Sequence, residues 1–186
     1  MRNPTLKIMH IMILLVSVYI INAQASVAGF NYETDIHHIE SLVKKEWRHL
    51  FWMPAYNQPL ITQMFKDRHP GDPAARTKHL YISVLKEHTQ VYGFITYYFA
   101  SQTTGHIELL SIDKSYQGLG YGKKLLACAV DFFTDHQCSL LQLYVYTNNH
   151  HAIEFYKHQG FSVKRTFPGC LLLSKEIKGK SKERES

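Results

Sequence analysis

The sequence predicts a mixed α/β fold in which a central, mostly antiparallel sheet is flanked by helices. Two observations carry this prediction. Strand-like runs over 80–86, 91–99 and 107–112 are joined by short polar turns, which favours an antiparallel meander. Further along the chain, strand patterns alternate with amphipathic helix patterns. The 186 residues are enough for one domain with a sizeable core.

The first domain helix is predicted to begin at Thr34, a good N-cap that is followed by Asp35 in the first turn. Apolar residues then recur at helical spacing to about Leu50. Residues 58–66 have the pattern of a short second helix, and the turn-rich segment 68–73 ends it. These parts precede the strands of the meander.

The second half of the chain follows the same logic. The apolar spacing after residue 122 predicts a helix that contains Leu125 and Phe133. The alternating run 140–146 predicts a strand, and a helix over 149–159 follows. Two last strands are predicted over the runs on either side of the turn Pro168-Gly169, at 161–167 and 169–177.

The first residues of the chain differ from the rest. Arg2 and Lys7 precede an apolar run, and Ala23-Gln24-Ala25 has the small-x-small pattern of a cleavage site. This pattern predicts a secretory signal peptide that is cut after Ala25. The apolar run of about 14 residues is short for a membrane span. An uncleaved anchor and a wrongly assigned start are the alternatives.

The signal prediction sets the expected domains and compartment. The expected parts are a signal peptide over 1–25, a domain over 26–178 and a charged tail over 179–186. The protein is then expected to be exported to the periplasm or the medium, without stable membrane insertion after cleavage. If the signal prediction fails, the expected compartment is the cytoplasm.

Composition argues against two classes of function. The net charge of +6 is spread out, without the basic, aromatic-interleaved stripe typical of nucleic-acid binding. Of the 12 histidines, His37-His38 and His150-His151 are adjacent pairs, and neighbouring side chains on a helix do not face one site. No metal is therefore expected.

The three cysteines do not form a disulfide framework, and Cys128 is expected to be buried as a small apolar residue.

The most informative stretch is a glycine-rich turn between a strand and a helix, Gln117-Gly-Leu-Gly-Tyr-Gly122. Such a turn directs backbone N–H groups and the positive end of a helix dipole at one point, which favours a phosphate or pyrophosphate. The dinucleotide fingerprint would need glycine at Lys123, and the triphosphate loop would need a hydroxyl at Lys124. Both motifs are therefore excluded.

The pattern that fits is [Q/R]-x-x-G-x-[G/A], which Gln117, Gly120 and Gly122 satisfy. It resembles the acyl-CoA pyrophosphate loop of the GNAT (Gcn5-related N-acetyltransferase) family. A second segment resembles the later family motif N-x-x-A-x-x-F-Y-x-x-x-G-F, which is met by Asn149, Ala152, Phe155, Tyr156, Gly160 and Phe161. With two motifs in the right order, the chain is identified as a member of this family over about residues 30–176.

The resemblance implies a GNAT fold with a mostly antiparallel sheet of about six to seven strands. It also implies acetyl-CoA as co-substrate and no metal. Backbone groups of Ser111 to Asp113 would pair with the pantetheine arm, and the strand after the loop helix would splay away to make room. The implied cofactor-binding residues are Ser111, Ile112, Gln117, Gly118, Leu119, Gly120, Tyr121, Gly122, Lys123 and Asn149. Lys124 lies beside them, either near a phosphate or merely solvated.

Acetyl transfer to an amine needs a base and a proton donor for the leaving thiolate. By resemblance, Glu108 is the candidate base, although a structural or substrate-anchoring carboxylate is an equal alternative. His106 is the second candidate base, unless it is a surface residue at the end of a hairpin. By resemblance, Tyr156 is the thiolate-protonating candidate, and its alternative is an aromatic residue that packs on the sheet.

These observations predict an N-acetyltransferase that acts on a primary amine of a small molecule or peptide, as a monomer or homodimer. An alternative is an exported, non-catalytic acyl-CoA-binding or interaction module on the same fold. An exported enzyme that works inside another cell would reconcile the signal with the use of acetyl-CoA.

Overall fold

The computed structural model describes residues 25–50 and 79–178, except for the side chains of residues 48 and 49. The strands are β1 (Ser26–Gly29), β2 (Tyr81–Glu87), β3 (Gln90–Ser101), β4 (Thr104–Ile112), β5 (Leu140–Tyr146), β6 (Ser162–Phe167) and β7 (Cys170–Glu176). The helices are α1 (Tyr32–Leu50), α2 (Tyr121–Asp135) and α3 (His150–His158), with a short 3-10 turn at Lys114–Tyr116. The predicted second helix, the tail and the signal peptide up to residue 24 lie outside the described residues.

The seven strands form one sheet in the order β1-β2-β3-β4-β5-β7-β6. All neighbours are antiparallel except β4 and β5, which are parallel. The predicted α/β class and the antiparallel meander of β2, β3 and β4 are therefore confirmed. The short edge strand β1, which pairs with β2, was not predicted from the sequence.

Helix α1 begins two residues before the predicted start at Thr34, so the prediction of Thr34 as N-cap is wrong. The side chain of Asn31 accepts hydrogen bonds from the backbone N–H groups of Glu33 and Thr34, which is the role of an N-cap. The Asp35 carboxylate in turn accepts a hydrogen bond from the Asn31 N–H at 2.8 Å. The Asn31 side chain thus bonds two N–H groups of the first turn, and the Asp35 carboxylate bonds the N–H of the capping residue.

Each face of the sheet carries its own hydrophobic core. Helix α1 packs on one face, where its apolar side contacts residues of β2, β3 and β4 such as Phe94 and Leu109. Helices α2 and α3 contribute Phe133 and Tyr156 to the other core. Cys128 of α2 is half-buried, with its Sγ 3.4 Å from the hydroxyl of Ser83.

Within residues 25–50 and 79–178, no helix is long and apolar enough to cross a membrane.

The parallel pairing of β4 and β5 is short. It runs only from Thr104 opposite Leu140 to Ile107 opposite Leu143. Beyond these four pairs, β5 continues to pair with β7, while β4 runs on to Ile112. The two strands therefore diverge, and the last part of β4 presents one edge that β5 does not cover. The predicted splay of the strand after the loop helix is present.

Candidate active site

A cavity of about 410 Å³ opens where β4 and β5 diverge. Its walls come from the end of α1, the end of β4 with the turn that follows, and the start of α3. The lining residues are Glu46, Leu50, Leu110, Ser111, Ile112, Lys114, Gln117, Asn148, Asn149, His150, His151 and Ala152. The cavity thus joins four of the predicted cofactor-binding residues, because Asn149 at the start of α3 lies beside Ser111, Ile112 and Gln117.

The glycine-rich turn lies between the cavity and α2. Gly118 and Gly120 have φ angles of 75° and 80°, in the left-handed region that other residues rarely adopt. Open space lies around both positions, since an added Cβ would meet nothing within 4 Å. Gly120 is the N-cap of α2 and provides no side chain to cap it. The first-turn N–H groups of α2 are therefore not bonded by a cap side chain.

The remaining residues of the turn are at or near the surface. Leu119, at its tip, is 63% exposed. A Cβ added at Gly122 would touch the Phe155 ring at 3.5 Å, so α2 and α3 are close at this point. Lys123 is exposed, and Lys124 Nζ lies 5.0 Å from the centroid of the Tyr121 ring. Both lysines belong to the first turn of α2.

The turn is fixed at its entrance by three contacts. The Gln117 side-chain amide donates to the carbonyl of Ile112 at 2.9 Å, so this side chain holds the end of β4. The Tyr116 ring stacks on Tyr92 with a centroid distance of 4.0 Å, and its hydroxyl donates to Glu87 at 2.5 Å. Burial and the Glu87 carboxylate raise the pKa of Tyr116 well above its ordinary value, so this phenol remains a donor.

Asp113 fixes the same segment from the other side. Its carboxylate accepts hydrogen bonds from the Ser115 hydroxyl and backbone N–H, and Lys45 Nζ of α1 lies 3.3 Å away. The Ser115 hydroxyl, the Ser115 N–H and then Lys45 lower the pKa of Asp113. The turn is therefore connected to α1 as well as to the sheet.

Asn149 caps α3. Its side-chain oxygen accepts a hydrogen bond from the Ala152 N–H at 3.1 Å. The same residue lines the cavity. Asn149 therefore orders the start of α3 and borders the space beside β4.

Glu108 lies where β4 leaves β5. Tyr97 of β3 pairs with Ile107 and Thr96 pairs with Leu109, so Glu108 is an extra residue in β4, a β-bulge. Glu108 is half-buried and its Oε2 atom is buried. Bulges redirect side chains and are common next to active sites. The predicted base candidate thus occupies an irregular position two residues before the cavity-lining Leu110.

Tyr156 is 7% exposed in the core beneath α3, next to the rings of Phe155 and Phe161. Burial raises the pKa of Tyr156 well above its ordinary value, so the phenol keeps its proton. The ring packs in this core, as its alternative role predicted, and Tyr156 is not among the residues that line the cavity.

His106 is not the surface residue that the hairpin position suggested. It is 5% exposed, and its ring lies 4.9 Å from the Tyr98 ring and 5.5 Å from the Tyr144 ring. The surface alternative is wrong because aromatic side chains of both neighbouring strands, β3 and β5, pack against its ring. Within the described ranges, no group of three potential metal ligands occurs.

The sequence interpretation missed several residues of the cavity. Glu46 and Leu50 belong to the first helix, and Asn148 and His150 flank the predicted Asn149. The helical spacing of 36–50 gave no sign that the end of α1 would border the loop. The neighbours of Asn149 could have been inferred, since residues around a helix start share its surroundings.

The splayed sheet and the glycine-rich helix start define an α/β fold with an uncovered strand edge next to a helix start that has no cap side chain. The acetyltransferase (GNAT) family model matches residues 36–161, more than half of the chain. The chain belongs to the GNAT acetyltransferase family. The predicted family is therefore confirmed.

A curated relative is the "Probable spermine N(1)-acetyltransferase" of Bacillus subtilis subsp. natto (strain BEST195). It is 33% identical over 92 residues, which are 47% of this chain and 60% of the relative. The match thus spans about 60% of the length of that relative.

Solved structures share the fold. Ard1 from Thermoplasma volcanium has a TM-score of 0.67 at 20% identity, over 83% of this chain and 98% of that one. The paia N-acetyltransferase from Thermoplasma acidophilum, in complex with coenzyme A, has a TM-score of 0.64 at 16% identity. The match covers 82% of this chain and 99% of that one. These similarities confirm the predicted GNAT fold.

Proposed function

We propose that the protein transfers an acetyl group from acetyl-CoA to a primary amine of a small molecule or peptide. The observation that carries the proposal is the cavity at the divergence of β4 and β5, which is bordered by the glycine-rich turn. A strand edge not covered by β5, next to a helix start without a side-chain cap, suits a ligand with an amide-containing arm and a pyrophosphate. Coenzyme A has both.

In the proposed complex, the pyrophosphate binds the backbone N–H groups of the turn at 117–122 and the first turn of α2. Lys123 and Lys124 lie near enough to this helix start to neutralise phosphate charge. The pantetheine amides pair with β4 at Ser111 and Ile112, in the manner of an added strand. The thioester then lies toward Leu110 and Glu108.

Glu108 is the proposed base. It removes a proton from the amine, directly or through a water molecule, and the neutral nitrogen attacks the thioester carbonyl carbon. The C–N bond forms, the C–S bond of the tetrahedral intermediate breaks, and the sulfur leaves as a thiolate. The Tyr156 hydroxyl is the proposed donor that returns a proton to this sulfur. His106 is the second candidate for the base.

The acceptor class rests on the relatives. The curated relative named for spermine makes polyamines the first acceptors to test. Peptides with free amino termini are the second set, because the proposal covers any unhindered primary amine. Either class meets the same requirement for a neutral nitrogen at the attack.

The first experiment measures thermal unfolding of the full chain with and without acetyl-CoA, followed by release of free thiol in the presence of spermine. A ligand at 100 times its dissociation constant should stabilise the protein by about 2.7 kcal/mol. Glu108→Gln and Tyr156→Phe should keep this stabilisation and slow thiol release by about 100-fold or more. A stabilised protein that releases no thiol with any amine would instead indicate a non-catalytic acyl-CoA-binding module.

The proposal extends to the compartment. The pattern over 1–25 supports export, and an exported enzyme needs acetyl-CoA at its destination, for example inside another cell. Fractionation of producing cells, with N-terminal sequencing of the mature protein, tests this part. A protein that starts at Ser26 outside the cytoplasm would support export, and an uncut cytoplasmic protein would contradict it.

A further inference from the structure

The bulge at Glu108 changes which face of the sheet each following side chain of β4 occupies. Ile107 packs in the core beneath α2 and α3, whereas Leu109, two residues later, packs in the core beneath α1. In a regular strand, residues two apart share a face. The extra residue therefore switches the alternation of β4 from Glu108 onward. Because of this switch, Leu110 and Ile112 contact the same core as Ile107.

The bulge also coincides with the divergence of the strands. Ile107 is the last residue of β4 that pairs with β5, and Glu108 is the next one. The change of register and the uncovered edge thus begin at the same peptide. A one-residue slip of β4 would exchange the faces of every residue from 108 to 112. It would move the Leu110 side chain to the other face of the sheet and redirect Glu108.

One hydrogen bond pairs the backbone N–H that follows the bulge. The Leu109 N–H donates to the Thr96 hydroxyl at 3.0 Å, so a side chain on β3 bonds the first amide after the bulge. Thr96 is fully buried and Leu109 is 6% exposed. A buried amide without a partner destabilises its conformation, so this hydroxyl favours the bulged register over alternatives.

We propose that Thr96 is a positioning residue, whose hydroxyl holds the bulge in place and thereby directs Glu108 to the reacting amine. The role of Glu108 rests on the proposed function, but the effect on the bulge does not. Thr96 contacts no substrate in this scheme, and it acts on the reaction only through β4.

The test compares Thr96→Val, which keeps the shape but lacks the hydroxyl, with Thr96→Ser, which keeps the hydroxyl. We expect Thr96→Val to lower kcat, by up to about 100-fold, because small displacements of catalytic groups have effects of this size. Thr96→Ser should retain kcat to within about threefold, a change of less than 1 kcal/mol. The Kd of coenzyme A should change less than kcat in Thr96→Val, because the turn at 117–122, where the pyrophosphate is proposed to bind, is unaltered.

A double-variant cycle separates positioning from general damage. In a Glu108→Gln background, Thr96→Val should have little further effect on kcat, because the group it positions is already absent. An undiminished loss of kcat in that background would show that Thr96 acts elsewhere, and it would overturn the proposal.

Hydrogen exchange provides a readout that does not depend on turnover. In Thr96→Val, exchange of the Leu109 amide should accelerate relative to the Leu110 and Ile95 amides by about threefold to tenfold, the factor for one hydrogen bond. Unchanged relative exchange would overturn the proposal even if no acceptor is found. If Thr96→Val does not fold, Thr96→Ala lacks the same hydroxyl and carries the same comparison with Thr96→Ser.

Discussion

The starts of α2 and α3 differ in how their first turns are satisfied. Both helices follow a β-strand, and both begin close to the cavity. Gly120 starts α2 in a left-handed conformation and provides no capping side chain, whereas Asn149 starts α3 and bonds the Ala152 N–H. The first turn of α2 therefore depends on solvent or a ligand, and the first turn of α3 is satisfied by its own chain.

The protein thereby assigns ligand binding and stability to different helix starts. The start of α1 is the most heavily satisfied, because the Asn31 side chain and the Asp35 carboxylate bond backbone N–H groups at 2.8 to 3.3 Å. Asp35 also pairs with Lys86 of β2 at 2.7 Å. Substitutions at the three helix starts should thus have different consequences, in affinity at α2 and in stability at α1 and α3.

The largest effect is expected at the start of α2. Gly120→Asp places a carboxylate where the pyrophosphate is proposed to bind, and like charges in contact disfavour binding by several kcal/mol. The affinity for coenzyme A should fall by about 1,000-fold. The fold should survive with a modest loss of stability, because nothing lies within 4 Å of a Cβ at this position, although the φ of 80° strains a residue that has a side chain. Calorimetric titration measures the affinity, and circular dichroism the fold.

Gly120→Asn is the matched control for this substitution. Asparagine has the size of aspartate without its charge, and it tolerates the left-handed region better than most residues. It should lose far less affinity than Gly120→Asp. Equal losses in the two variants would mean that shape rather than charge disfavours the ligand.

A smaller effect, on stability, is expected at the start of α1. Asp35→Asn leaves the Lys86 ammonium, which is 19% exposed, without its partner. The loss of free energy of unfolding should be about 3 kcal/mol, at the low end for a buried pair because Lys86 reaches solvent. Urea unfolding measures it. Glu33→Gln, an exposed acidic residue of the same turn, should change stability by less than about 1 kcal/mol.

The contribution of Asp35 to the free energy of unfolding should depend on pH in a defined direction. Burial alone would raise the pKa of Asp35, but the Asn31 N–H, the Lys86 ammonium and the Thr34 hydroxyl lower it below its ordinary value of 3.8. The stabilisation is therefore complete well above pH 3.8 and is lost as the pH falls through the folded-state pKa. The stability difference between the wild type and Asp35→Asn should shrink only in that acidic range. A constant difference would exclude the ion pair as its source.

The smallest effect is expected at the start of α3. Asn149→Ala removes the cap and should lower the free energy of unfolding by about 1 kcal/mol. Asn149→Ser should recover most of it, because serine also caps helices well. Urea unfolding of the three proteins checks the order. If the serine variant were as unstable as the alanine variant, another contact of Asn149 would be the stabilising one.

The second half of the fold could be predicted because its signals are local. The alternating run 140–146 coincides with β5, and the glycine-rich turn needs conformations that few other residues adopt. The start of α1 was misplaced because Thr34 and Asn31 are both good caps, and only the structure shows which one bonds the first turn. Strand β1 has only four residues, too few for a periodic pattern.

The bulge at Glu108 and the burial of His106 depend on contacts between strands. The sequence of β4 alone reads as a regular apolar run, and the extra residue is visible only in the pairing with Thr96 and Tyr97. The burial of His106 likewise requires Tyr98 and Tyr144, from strands on either side of β4. The candidate base was therefore predicted by resemblance, while its irregular setting was not predicted.

The short parallel pairing of β4 with β5 has a consequence for the order of folding. The meander β2-β3-β4 and the unit β5-α3-β6-β7 each consist of contacts between neighbours in the chain, which form early. Four residue pairs join the two units within the sheet, and they require closure of the long crossover through α2. We expect this four-pair seam between β4 and β5 to form last during folding and to open first during unfolding. It would then be the boundary between two cooperative units. A ligand that bridges the seam would make the whole domain unfold as one.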